Sequence, residues 1–328
     1  MSRRGTLKAA LTLCGHVLVV GALTLAAASP AFAAKPVGAG HGGGNGGGSG
    51  GGGGGVPGST TTGFDVSYPQ CGTSLPTPIA FGIVGVNGGL ANDLNPCLGP
   101  SSSYGSYTQS ELYWAVATAV GGTSQPDASL YVNTADPGNL HNGSPIADWP
   151  TSSSAGDPYG ACTTTTVRSR GHDYVVGQNS QACAWQYGDD KATADAAWLT
   201  DAADAIDAQA PPVTVASSPS SYPWWLDVET GNTWQSDLGM NVADLQGMVA
   251  GLQAAGATAV GVYSTSSQWS TITGGTSSSS GSLVGLPDWI PGATSQTGAQ
   301  ANCGLPSFTG GSVTVTQWTG TVDNDLAC

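Results

Sequence analysis

The chain has 328 residues, with 21 Asp and Glu against 7 Lys and Arg, and a formal net charge of −14 at neutral pH. That balance repels nucleic acid and anionic membrane surfaces, so partners held by a basic face are excluded.

The first segment reads as an export signal. Arg3, Arg4 and Lys8 precede an apolar stretch from Ala9 to Ala28, and Ala31-Phe32-Ala33 supplies the small-x-small pattern of a signal-peptidase site. A cleavage pattern and a polar linker follow at once, which argues against a membrane anchor. Cys14 follows Leu13, where a lipid-attachment site requires a small residue, so it leaves with the leader. Residues 1–33 are assigned as signal peptide and residues 34–60 as a glycine-rich flexible linker that has too little apolar surface to fold. Composition turns globular at about Thr61. Residues 61–328 are expected to form one domain with one sizeable core.

Within that domain strands and helices alternate. Gly63-Phe64-Asp65-Val66-Ser67 is a short strand, and Ile79–Val86 is the continuous apolar run of a buried parallel strand. Thr108–Val120 has helical spacing, with Thr108 as expected N-cap and Glu111 completing a capping box. Ala128–Val132 is a third strand. Residues 134–185 are irregular and too long for an ordinary connection, so they read as an excursion. Asp189–Gln209 is an alanine-rich helix stopped by Pro211-Pro212, with Asp189, Asp190, Asp195, Asp201, Asp204 and Asp207 expected on its solvated face. Then come a strand at Pro223–Val228, a helix at Val242–Ala255 ended by Gly256, a strand at Ala257–Tyr263, and weaker strand signals at Trp289–Ile290 and Val313–Trp318. Repeated β-α units with buried strands indicate an α/β fold on a parallel sheet, open or closed.

Six cysteines remain after the leader: Cys71, Cys97, Cys162, Cys183, Cys303 and Cys328. An even number in an exported chain reads as disulfides, and the expected pairing joins sequence neighbours, 71–97, 162–183 and 303–328. No zinc-type spacing of Cys or His exists, and no metal is expected.

The chemistry-bearing segment is Trp224-Trp225-Leu226-Asp227-Val228-Glu229. Residues two apart on a strand point the same way, with Cα atoms about 6–7 Å apart, so both acids enter one space. Two close carboxylates beside aromatic walls raise one another's proton affinity, which is how a carboxyl stays protonated as a general acid near neutral pH. Glu229 is one of only two glutamates, the other being Glu111.

Five spaced motifs in order carry a resemblance: Gly63-Phe64-Asp65-Val66-Ser67, Asp227-Val228-Glu229, Val260-Gly261-Val262-Tyr263-Ser264, Asp288-Trp289-Ile290, and Gln317-Trp318-Thr319 with Val322-Asp323. Over about 63–326 the chain resembles glycoside hydrolase family 25, the cell-wall muramidases, and a looser group of actinobacterial secreted glycoside-hydrolase-like domains. The resemblance implies an irregular TIM-type (β/α) barrel. It also implies that Glu229 is the general acid, Asp227 its assisting carboxylate, and Asp65 and Asp323 the acids of the first and last strands. Tyr263, Trp289 and Trp318 fall on cleft-lining aromatic positions, and Trp225 and Asn87 are added to the substrate-facing set. Barrel enzymes act where strand C-terminal ends converge. The chain departs from the family at Val86-Asn87-Gly88-Gly89, where a Lys-Ala-(Thr/Ser)-Glu-Gly segment is usual, and at Tyr131-Val132-Asn133-Thr134, where a Tyr-His-Phe run is usual.

The expectation is a secreted, monomeric hydrolase of peptidoglycan or another β-linked glycan, needing no cofactor, contacting no membrane after cleavage and partnered by cell-wall glycan. The alternatives are a barrel that binds wall glycan without cutting it, and a hydrolase of a non-peptidoglycan glycan. His141 and His172 are isolated and expected at the surface, as are Arg168 and Arg170; no Gly-x-Ser-x-Gly elbow or phosphate loop is present.

Overall fold

The computed structural model describes residues 58–275 and 278–328. The expected leader and most of the glycine linker lie outside the described residues.

In chain order the elements are β1 (Gly63–Val66), β2 (Gly82–Gly85), the two-residue β3 (Asn87–Gly88) and β4 (Asp93–Leu94), α1 (Glu111–Thr118) and β5 (Ala128–Asn133). The excursion contributes β6 (Leu140–His141), β7 (Ser144–Pro145) and the hairpin β8 (Thr164–Ser169) and β9 (His172–Gly177). There follow α2 (Gln181–Asp207), β10 (Trp224–Asp227), α3 (Leu238–Ala254), β11 (Val260–Tyr263), α4 (Ser266–Thr273), β12 (Asp288–Ala293), α5 (Gln296–Asn302), β13 (Val313–Trp318) and β14 (Asp323–Ala327).

Eight strands close a barrel in the order β1-β14-β13-β12-β11-β10-β5-β2. Seven are mutually parallel where they pair; β14 runs antiparallel to both β13 and β1 and seals the ring. This is the irregular (β/α) barrel that the motif order implies. Alternation builds two cores. Trp224, Leu226 and Val228 face the helices, together with Leu130, Val132 and Val262, whereas Tyr131, Trp225, Tyr263, Trp289 and Val315 fill the barrel interior with Phe81 and Ile83.

All five α-helices among the described residues start on a side-chain cap: Ser110, Ser180, Asp237, Thr265 and Ser295 each accept a backbone N–H from the first turn. The cap of α1 is therefore Ser110 and not Thr108, which lies in a preceding 3-10 turn at Tyr107–Gln109. Ser110 prevails because its hydroxyl both accepts from Tyr113 N and donates to Leu98 O, while the would-be capping-box partner Glu111 turns into the core. The long helix begins at Gln181, eight residues before the expected start, because Ser180 caps it and the Cys162–Cys183 bridge anchors its first turn. The other two disulfides join Cys71 to Cys97 and Cys303 to Cys328, as sequence proximity suggests.

Helices α2 and α3 approach backbone to backbone. A Cβ on Gly188 would lie 2.0 Å from Asp244 O, and one on Gly247 would lie 1.9 Å from Trp185 O. Alanine normally gains about 1 kcal/mol over glycine inside a helix. Here the clash involves backbone, which cannot rotate away, so Gly247→Ala is expected to cost about 1–3 kcal/mol in urea unfolding. A stabilised variant would show that the contact is looser than described.

Candidate active site

The segment bearing the two acids leaves the barrel at the C-terminal end of β10. Asp227 pairs in register with Asn133 of β5 and Tyr263 of β11. The ladder runs one residue further, since Val228 N donates to Tyr263 O at 2.9 Å. Trp225 and Asp227 point into the barrel, Val228 is on the helix side, and Glu229 follows, half-buried at the mouth. Every carbonyl of this stretch is engaged. Thr134 Oγ1 and Asn232 Nδ2 donate to Asp227 O at 2.6 and 2.9 Å, and Ser264 Oγ donates to Val228 O at 2.7 Å. Trp234 Nε1 and Asn232 N donate to Glu229 O at 2.8 and 3.0 Å. Side chains just past the ends of β11 and β5 thus fix the backbone that carries the acids.

The floor of the mouth is aromatic. Trp289 is 1% exposed and meets Tyr131, Trp225 and Tyr263 edge-on, with ring centroids 6.2, 5.9 and 4.4 Å away. Its Nε1 donates to Asp325 Oδ1 at 2.9 Å. A second polar line crosses the barrel: Tyr263 OH donates to Gln317 Oε1 at 3.0 Å, and Gln317 Nε2 donates to Asp65 Oδ2 at 2.6 Å. On the antiparallel seam Asp65 pairs with Asp323, and Gly63 with Asp325, so both acids of β14 share the face of Asp65. Asp65 and Asp325 are buried and Asp323 is half-buried.

Asp65, Asp227, Tyr263, Trp225 and Trp289 therefore belong to one barrel interior, with Glu229 and Asp323 at its rim. Asn87 is buried beside them; its Oδ1 accepts from Asn133 N at 2.6 Å and its amide donates to Asn133 O, so it ties the loop after β2 to the end of β5. Trp318 closes β13 on the side of Thr316, whose hydroxyl donates to Ala299 O of α5, and is half-buried. Sequence reasoning gave no role to Gln317, although it stood in a motif, and did not single out Asp325. The legible signal for Asp325 was its place two residues after Asp323, on the same strand face.

A cleft of about 470 Å³ opens elsewhere, between the 147–154 loop and α2, lined by Asp148, Trp149, Ser153, Gln186 and Asp190.

Other buried acids lie on the helices α1 and α2. Asp195, expected on the solvated face of α2, is instead fully buried; burial raises its carboxyl well above the usual range, with Asn87 and Lys191 opposing the shift. The helix is covered on that side by the loops after β2 and β5, which sequence spacing alone does not show. Glu111 is 1% exposed, beside the Cys71–Cys97 bridge, and accepts from Asn95 Nδ2 at 2.7 Å. Burial raises its pKa from 4.5 to about 7 against that hydrogen bond. Because the folded value is the higher one, its contribution is fully present below pH 4.5 and is lost as pH rises through 7, a loss of roughly 3 kcal/mol. Glu111→Gln is expected to flatten the fall in unfolding free energy over that window. Parallel stability curves for the two proteins would contradict the assignment.

A family model described as lysozyme-like protein 1 matches residues 219–287, the segment that carries Asp227, Glu229 and Tyr263. The probable GH family 25 lysozyme 4 of Dictyostelium discoideum is 47% identical over 51 residues, which is 16% of this chain and 23% of that protein, so the match spans under a quarter of the relative's length. Among solved structures, the bacterial lysozyme from Streptomyces coelicolor aligns at 14% identity and a TM-score of 0.38, covering 82% of this chain and 92% of the other. The muramidase from Trichobolus zukalii gives 14% and 0.38, covering 82% and 93%. At these values neither structural likeness bears on function. The lysozyme-like family model thus falls on the segment that builds the acidic mouth.

Proposed function

We propose that this lysozyme-like barrel is an exported hydrolase of peptidoglycan or a related β-linked polysaccharide, with Glu229 as general acid. The carrying observation is the convergence of Asp227, Asp65 and the half-buried Glu229 on the C-terminal mouth of the barrel, over the floor formed by Trp225, Tyr263 and Trp289. A half-buried acid at the open end of the barrel suits a sugar chain lying across the mouth.

In the reaction Glu229 gives its proton to the glycosidic oxygen as the bond from that oxygen to the anomeric carbon breaks. Asp227 faces the developing positive charge, or orients a substrate acetamido group that attacks the anomeric carbon in its place. Water then adds to the anomeric carbon and its proton returns to Glu229. Asp65, held by Gln317, and Asp323 keep the field at the mouth negative, which favours the cationic transition state. Three disulfides support work in an oxidising compartment, consistent with export.

A binding-only reading has one observation in its favour. Asn87 stands where the family carries a Lys-Ala-(Thr/Ser)-Glu-Gly segment, and its side chain is engaged by the backbone of Asn133 and by Asp195. Incubating the protein with insoluble peptidoglycan, and measuring both sugar released and protein sedimented, separates the two. Release supports hydrolysis; sedimentation without release supports binding alone.

A further inference from the structure

We propose that Asp136 and Gln235 are a positioning pair through which the β5–α2 excursion holds Glu229 over the barrel mouth and makes its setting sensitive to pH. The inference rests on the reading of Glu229 as the general acid and adds a regulation of that site.

After Val228 the chain leaves the ladder, and residues 229–237 contain neither strand nor helix. The contacts of Asn232 and Trp234 with Glu229 O fix the shape of this segment but not its position. Three sets of contacts fix where it stands: one to α3, where Asn241 Oδ1 accepts from Gln235 N and Asn241 Nδ2 donates to Gln235 O, both at 3.0 Å, and one on either side. On one side Thr230 N donates to Gln268 Oε1 of α4 at 2.7 Å. On the other, Asp136 N donates to Thr233 O at 2.9 Å and Gln235 Nε2 donates to Asp136 Oδ1 at 2.7 Å. Gln235 Oε1 in turn accepts from Asn179 Nδ2 at 2.7 Å, immediately before α2. Gly138 N donates to the same Asp136 oxygen at 3.2 Å. Gly138 has φ +69° and packs so closely that a Cβ there would lie 3.1 Å from both Asn179 Oδ1 and Gln235 Oε1. Both ends of the excursion therefore meet at Gln235, six residues from Glu229.

Asp136 is fully buried. Burial raises its pKa to about 6, against the hydrogen bonds from Gln235 and Gly138, and Asp237 at the α3 cap adds to the rise. Asp244 of α3 and Tyr187 of α2 also feel its charge. Lys191 of α2 counters Asp244 and pairs with Asp148 of the excursion. Asp136 Oδ2 has no hydrogen-bond partner among the described residues. A proton can therefore reside there while Oδ1 keeps both donors. Ionisation as pH rises through about 6 strengthens Oδ1 as an acceptor and places a charge opposite Asp237 and Asp244, so the tether differs between the two forms.

The chain has only two glutamates, so labelling with carboxyl-13C glutamate gives two side-chain signals, and Glu111→Gln assigns the one from Glu229. The wild-type Glu229 signal is expected to show an inflection near pH 6 that Asp136→Asn removes. Gln235→Ala and Asp136→Ala are expected to lower kcat on a soluble peptidoglycan fragment by about tenfold or more, with KM changed by less than about twofold. Asp136→Asn, which keeps the acceptor oxygen, recovers part of that loss. If kcat and the Glu229 signal are unchanged in Gln235→Ala, and the inflection survives in Asp136→Asn, the proposal is overturned. If no glycan is cut even by wild type while the inflection behaves as stated, the hydrolase reading fails and the coupling of Asp136 to Glu229 stands. Asp136→Asn is nearly isosteric, so its spectrum reads the coupling even where the alanine variants do not fold.

Discussion

Glu229→Gln is expected to reduce release of reducing ends from peptidoglycan by on the order of 10²- to 10⁴-fold, with the melting temperature nearly unchanged. Removing the proton donor costs the leaving oxygen its acid while the carboxamide preserves shape. The fold should tolerate the change because Glu229 is half-buried at the rim, and the contacts that bind the segment here go to its backbone carbonyl. Asp227→Asn should also lower turnover, but it sits inside the barrel and its effect mixes chemistry with packing. Glu229 is therefore the cleaner variant. Activity within about twofold of wild type in Glu229→Gln would remove it from the chemistry.

Trp289→Ala carries the largest expected cost in stability, about 3–5 kcal/mol. The indole is 1% exposed, contacts three other aromatic rings in the barrel interior, and donates to Asp325. No neighbour can collapse into the space, because Tyr131, Trp225 and Tyr263 are on strands fixed by the closed ladder. Trp289→Phe keeps a ring but loses the donor, and should cost less. Chemical denaturation of the two variants measures the difference. Equal stability of wild type and Trp289→Ala would contradict the interior hub.

Much of this was legible because barrel strands carry a simple code. In Trp224-Trp225-Leu226-Asp227-Val228-Glu229, alternation assigns Leu226 and Val228 to the helix layer and the two acids to the other face, as the strand places Asp227. The disulfides were legible from proximity, because each closes a loop of 21 to 26 residues. The closing strand β14 was not read as a strand. Asp323-Asn324-Asp325 lacks the β-branched and aromatic residues that signal one, and its pairing comes from long-range contact with β1 and β13. The burial of Asp195 was hidden for a related reason: an aspartate on an alanine-rich helix looks solvated until the loops after β2 and β5 cover it. The same applies to Asp136 and Gln235, polar residues in irregular segments 99 positions apart, whose contact only the folded excursion creates.

The measurement that tests the central claim most directly is digestion of purified peptidoglycan in heavy-oxygen water, followed by mass analysis of the soluble fragments. Hydrolysis at the mouth formed by Asp227 and Glu229 predicts sugar fragments whose new reducing ends carry the heavy oxygen, produced by wild type and not by Glu229→Gln. Soluble fragments without added water, equal release by the variant, or an intact wall with the protein bound to it would contradict it.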